Sequence, residues 1–274
     1  MGTTPGRTTD ATTTPTTRPD RTSSRAGAAA ADRRVSSPPD LFNWLRVLVS
    51  LAFVLLLPLL IIGTSLRGLV TDRDFMLRGF RDNQVAVTTG LDDAQLQRVA
   101  DAFVAYFQGP PGQIQMQVTA FGQSRPLFSD REVAHMEDVQ ALIQFFLRMQ
   151  IIAAAVVVIR LVFAVVFDRS LVPVGRDMLW STGLMVALVV LVGVLSYLDF
   201  DSLWTRFHQI AFRNDLWLLD PSRDYLIMLF PEPFWLAATI RIATSVALQA
   251  AIVAVVGLGF VLSPRFFGSG SQSA

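Results

Sequence analysis

The chain has 274 residues, of which 52% are hydrophobic and only 16% charged, too few charges to coat a water-soluble protein of this size but natural for one solvated by lipid. Cysteine is absent, which excludes structural disulfides, thiolate nucleophiles and cysteine-ligated metal or iron–sulfur sites. All 23 basic residues are arginine, so a Ser–Lys dyad and a lysine Schiff base are excluded too, and the net charge of +1 comes with no basic patch or motif for nucleic acid.

Residues 1–40, rich in Thr, Pro, Ser, Ala and Arg and without a large apolar cluster, read as a disordered cytoplasmic tail. The apolar segment that follows is too long for a signal peptide and has no clear small-residue cleavage site, so an uncleaved anchor is expected. It is the first of four expected membrane helices, residues 41–67. Its charge-free stretch, Val47 to Leu66, is 20 residues long and contains Pro58, a kink position. Residues 68–140 are expected to fold as a small domain. There Leu96, Val99, Ala100, Phe103 and Phe107 keep a helical spacing that stops at Gly109-Pro110-Pro111-Gly112. Ile114 to Phe121 alternates with period two and predicts a strand, paired as a hairpin with residues around Leu127.

Residues 141–167 predict the second span, interrupted by Arg148 and Arg160. The 11 residues between them rise only about 16 Å as a helix, so at least one arginine lies in the apolar slab or snorkels out of it. The third and fourth spans, residues 178–198 and 235–263, hold charge-free stretches of 21 and 22 residues, Met178 to Leu198 and Ile242 to Ser263. Each can cross a hydrocarbon core of about 30 Å. Residues 264–274 form a second tail. Arg33, Arg34 and Arg46 before the charge-free stretch of the first span, Arg169 and Arg176 in the 168–177 loop and Arg265 after the last assign these sides to the cytoplasm. Residues 68–140 and the 199–234 loop then face outward. The expected fold class is an all-α membrane protein: four transmembrane helices, with a small extracytoplasmic domain of a helix plus a short β-hairpin in the first outer loop.

The chain has two histidines. Ser129-Asp130-Arg131-Glu132 fits a capping box, which starts a helix at Ser129. On it His135, Val139, Leu142 and Phe146 share the face that continues into the second span, with Glu132 and Asp138 three residues either side of the imidazole. The second histidine repeats the arrangement: Trp204, Phe207, His208, Ala211 and Phe212 form an apolar stripe containing one imidazole, followed by Arg213, Asn214, Asp215 and Trp217. Both histidines fall on the outer side, in short amphipathic helices at the membrane surface. Spacing alone leaves a packed structural role open for each, with Glu132 as a cap only, Asp138 solvated, and Trp204 and Trp217 as interface anchors. No metal site is expected, because neither H-x-x-x-H nor H-E-x-x-H occurs.

The blocks LFSDREVAHMEDV (Leu127 to Val139), FHQIAFRNDLWLLDP (Phe207 to Pro221) and LIMLFPEPFW (Leu226 to Trp235) resemble the four-span bacterial membrane family that includes the lipoprotein intramolecular transacylases. The resemblance runs roughly from Leu41 to Pro264. It implies a multi-pass cell-membrane enzyme whose extracytoplasmic catalytic pair corresponds to His135 and His208. The implied reaction moves the sn-2 acyl chain of a diacylglyceryl-modified lipoprotein onto the α-amino group of its own N-terminal cysteine, without a cofactor, giving the lyso form. Imidazole, with an ordinary pKa of about 6.5, suits an α-amine at about 7.7–8.0. His135 is expected as base and His208 as acid, with Asn214, Arg213 or Arg148 as oxyanion donors. The rivals are a membrane lipid-ester hydrolase, with or without a metal, and a non-catalytic structural or binding membrane protein. The partners expected are the lipoprotein substrate and membrane lipid, with no nucleic acid.

Overall fold

The structure is a computed structural model that describes residues 1, 2 and 41–263; the expected tails otherwise lie outside the described residues. The protein is mostly helical. Four helices are long and apolar enough to cross a membrane: α1 (Leu41–Val70), α5 (Asp130–Phe163, continued to Asp168 by a π-helical turn), α6 (Val172–Leu198) and α9 (Glu232–Leu262). Apolar side chains such as Val158, Val190, Leu191, Ile252 and Val255 stay exposed on them, as expected where lipid is the solvent. Pro58 lies inside α1, which continues past it.

Between α1 and α5 the chain forms α2 (Arg73–Asp82), α3 (Val85–Thr89), α4 (Asp93–Gln108) and an antiparallel hairpin, β1 (Gln117–Ala120) with β2 (Gln123–Pro126). Between α6 and α9 come α7 (Phe200–Ala211) and α8 (Tyr225–Leu229). The strand expected over 114–121 is thus shorter; its hairpin partner, 123–126, ends at Leu127, whose amide donates to the Met116 carbonyl at 2.9 Å, and α2 and α3 were not anticipated. The expected 168–177 loop shrinks to residues 169–171. Pro173 suits the first turn of α6, where no amide bond is lost, and Arg169 makes the turn with φ 48°.

α6 and α9 pack with backbones in near contact. A Cβ added to Gly175 would stand 2.6 Å from the Gly257 carbonyl oxygen, and one added to Gly257 would stand 3.0 Å from the Gly175 carbonyl oxygen. Small residues allow this approach, which supplies dispersion attraction where no hydrophobic effect operates. Gly175→Val is expected to force the helices apart and lower stability by about 1–3 kcal/mol, seen as earlier thermal unfolding in detergent micelles.

A polar contact crosses three helices. Arg160, 1% exposed, donates from Nε to Asp177 at 2.8 Å and from Nη1 to Asp168 at 3.2 Å. Arg46 of α1 reaches the same Asp168 at 2.9 Å, and the Ser50 hydroxyl donates to Asp177. Of the two interrupting arginines, Arg160 is therefore the buried, paired one. Arg148 is exposed, with no hydrogen bond or ion pair among the described residues.

An apolar core joins the portion outside the four long helices to the start of α9. Met76, Phe80, Val99, Phe103, Leu127, Phe128, Leu226 and Phe230 meet Phe234 of α9 there, with the Phe103 and Phe230 rings edge to face at 4.8 Å. The GPPG breaker is fixed by Gln140 of α5: its amide donates to the carbonyls of Tyr106 and Pro110, and its Oε1 accepts from the Gly112 amide at 3.1 Å. Tyr106 donates its hydroxyl to the Met136 carbonyl. These bonds join the end of α4 to the second and third turns of α5, just where His135 lies.

Candidate active site

The N-terminus of α5 is set by its capping box. The Ser129 hydroxyl accepts from the Glu132 amide, and Glu132 Oε2 accepts from the Ser129 amide at 2.7 Å. Glu132 does more than cap. Its other oxygen, on a carboxylate only 2% exposed, accepts the Leu226 amide at 2.6 Å and so ties α5 to the start of α8.

One turn on, His135 is 5% exposed, and His208 of α7 is 8% exposed. Their ring centroids are 6.0 Å apart, although the residues are far apart in sequence. Phe212 touches both rings, at 5.0 Å from His135 and 5.6 Å from His208. Trp204 at 4.7 Å, Trp217 at 5.1 Å and Phe207 at 5.3 Å complete the wall around His208, and Trp235 of α9 stacks on Trp204 at 4.6 Å. Water is largely excluded from the pair.

The two imidazoles are held differently. His208 Nδ1 lies 2.8 Å from the Trp204 carbonyl oxygen. A carbonyl only accepts, so Nδ1 carries the hydrogen and the neutral ring presents a bare Nε2. Burial, which penalises the charged ring, lowers its proton affinity below the ordinary histidine value, against the smaller opposing effect of that hydrogen bond. His135 Nδ1 is buried with no hydrogen-bonding partner among the described residues. Such an orphaned polar atom is uncommon and leaves a ring nitrogen free for an incoming group.

The remaining expected site residues separate into those near the pair and those away from it. Asp138 accepts from the Asn214 amide at 2.9 Å, which brings the segment after α7 onto α5. Trp217 lies against His208. Asp215 contributes its backbone carbonyl, which accepts from Arg131. Arg213 is exposed and makes no hydrogen bond or ion pair among the described residues. Arg148 stands 13 residues along α5 from His135, roughly 20 Å away on the helix axis, and is not at the site. Reading the sequence missed Arg131, whose place inside the capping box hid its reach, and Trp235, whose neighbours in sequence give no hint of Trp204. Among the described residues no three His, Asp or Glu side chains gather as a metal site.

The chain matches the family described as lipoprotein intramolecular transacylase Lit over residues 51–235, well over half its length. The chain belongs to this family. The matched span contains both histidines, Glu132, Asp138, the segment after α7 and Trp235, so the transacylase family signal covers the whole enclosure. An uncharacterized protein of Aquifex aeolicus is 23% identical over 199 residues, covering 73% of this chain and 88% of that protein. Among solved structures, the lipoprotein intramolecular transacylase Lit of Bacillus cereus superimposes with a TM-score of 0.69 at 15% identity, covering 80% of this chain and 97% of that one. A histidine-to-alanine variant of the same protein gives 0.64 at 15% identity, with 80% and 94% covered. The chain therefore has a Lit-like fold and is a multi-pass membrane protein of the Lit transacylase family.

Proposed function

We propose that this protein transfers the sn-2 acyl chain of a diacylglyceryl lipoprotein to the α-amino group of the same molecule's N-terminal cysteine, using His135 and His208 as acid–base groups. The observation that carries this reading is the pair of buried imidazoles 6.0 Å apart inside an aromatic wall. Family membership supports the acyl-transfer class and a lipoprotein partner. The arginine distribution read from the sequence supports placing this end of the helices at the outer face of the membrane.

Nucleophile and electrophile belong to one substrate, so proximity is built in and no acyl-enzyme is needed. The amine nitrogen attacks the ester carbonyl and a C–N bond forms. The bond to the sn-2 glyceryl oxygen breaks, and one proton moves from nitrogen to that oxygen. The bare Nε2 of His208 supports it as the base that takes the proton, the reverse of the assignment expected from sequence. His135, with a ring nitrogen unpartnered, receives that proton from His208 and relays it to the departing oxygen as the acid. Both rings start and end neutral, which fits their burial in apolar surroundings. Asn214 and Arg213 remain the nearest side-chain candidates for oxyanion donors by sequence position, whereas Arg148 is too far along α5.

The test is mass spectrometry of the N-terminal peptide of a diacylated lipoprotein incubated with the purified protein. Unchanged lipid mass, with one chain converted from alkali-labile ester to alkali-stable amide, is expected. Loss of one acyl mass would mean hydrolysis and overturn the transferase reading.

A further inference from the structure

The polypeptide between α7 and α8 lies across both histidines, and its fastening is lopsided. Residues 213–219 carry Trp217 onto His208, and the adjoining Phe212 packs against both rings from the side. Bonds such as Leu216 N–H to Asn214 Oδ1 and Leu218 N–H to the Asp215 carbonyl shape the segment internally. Among the described residues, its hydrogen bonds to the rest of the protein run to two side chains of α5 alone. Arg131 donates from Nη2 to the Asp215 carbonyl and from Nε to the Leu216 carbonyl, and Asp138 accepts from Asn214 at 2.9 Å. Arg131 and Asp138 are seven residues apart, two helical turns, and therefore lie on one face of α5, flanking His135. Both fastenings are solvent-exposed, whereas the next one along, Glu132 to the Leu226 amide, is buried.

We propose that Arg131 and Asp138 are positioning residues that clasp the 213–219 segment as a strap over the histidine pair, setting the separation of the two imidazoles and the exclusion of water. This rests on the transacylase reading for its effect on turnover, while the clasp itself follows from the contacts named. The planar guanidinium suits two adjacent carbonyls, which a lysine ammonium meets with poorer geometry. With the clasp removed, Trp217 loses its seat, so His208 gains solvent and the rings drift. An error of about 1 Å in such a geometry reduces rate about 10²-fold.

The chain has only two histidines, so diethyl pyrocarbonate modification followed by peptide mass analysis reads each imidazole cleanly. Arg131→Ala and Asp138→Ala are expected to modify at His208 severalfold faster than wild type while keeping the wild-type thermal midpoint. In the transfer assay they should lose about 10²-fold in kcat with little change in KM. Arg131→Lys should fall between, and Asp138→Asn, which still accepts from Asn214, should stay near wild type in both readouts. His208 as well protected in Arg131→Ala and Asp138→Ala as in wild type would overturn the proposal, whatever happens to turnover. A wild-type protein that transfers no acyl group would instead refute the transacylase reading, with the modification rates still deciding the clasp.

Discussion

Replacement of either histidine by glutamine is expected to reduce acyl transfer by about 10²–10⁴-fold, the usual contribution of a positioned acid or base. His208→Gln should fall at the upper end, because it removes the only group whose tautomer is fixed as a proton acceptor by the Trp204 carbonyl. Glutamine is close in size, so the aromatic wall of Trp204, Phe207, Phe212 and Trp217 should keep its packing and the variants their thermal midpoints. Variants that fold and still convert a lipoprotein at the wild-type rate would remove the pair from the mechanism. A pH profile of kcat adds an independent check. The substrate amine, at about 7.7–8.0, must lose its proton to attack, which gives a one-proton fall in rate as pH drops below 8. Burial lowers the folded-state proton affinity of His208, so its ring stays neutral until the pH falls below the ordinary histidine value of about 6.5. The slope should therefore steepen to two protons only below that point; a two-proton slope already above it would contradict His208 as the base.

The largest effect on stability is expected at Arg160. Arg160→Ala leaves Asp177 without its guanidinium partner and Asp168 with Arg46 alone, inside an assembly of membrane helices. Breaking a buried pair from one side costs about 3–5 kcal/mol, because the Asp177 charge keeps only the Ser50 hydroxyl in place of its ionic partner. Unfolding in detergent micelles should register that loss directly. Combining Arg160→Leu with Asp177→Leu should recover a large part of it, since apolar groups of similar volume often replace a buried pair without penalty. Arg160 lies 25 residues along α5 from His135, roughly 37 Å along the axis, so the folded fraction should keep its turnover. Loss of turnover without loss of stability would show a coupling between the two ends of α5.

The sequence by itself determined the class of protein and the local geometry around each histidine. Runs of 20 or more apolar residues can only be solvated by lipid, so three spans were legible from Val47 to Leu66, Met178 to Leu198 and Ile242 to Ser263. The Ser129 capping box and the stripe through His208 were legible because both are patterns within one helix, where spacing along the chain is spacing in space. Quoted blocks around His135 and His208 were enough to mark the family. What lies between elements was decided by tertiary structure alone. That His135 and His208 face each other, that Glu132 binds Leu226, that Arg131 clasps the strap and that Trp235 stacks on Trp204 all depend on how distant helices dock. No periodicity encodes such pairings. The two arginines of the second span show the same limit: composition made Arg148 and Arg160 equivalent, and only the approach of Asp168 and Asp177 separates a buried charged hub from an exposed side chain. Likewise Nδ1 of His208 finds its acceptor one turn back on its own helix, but the imidazole that its ring meets lies 73 residues away in the chain.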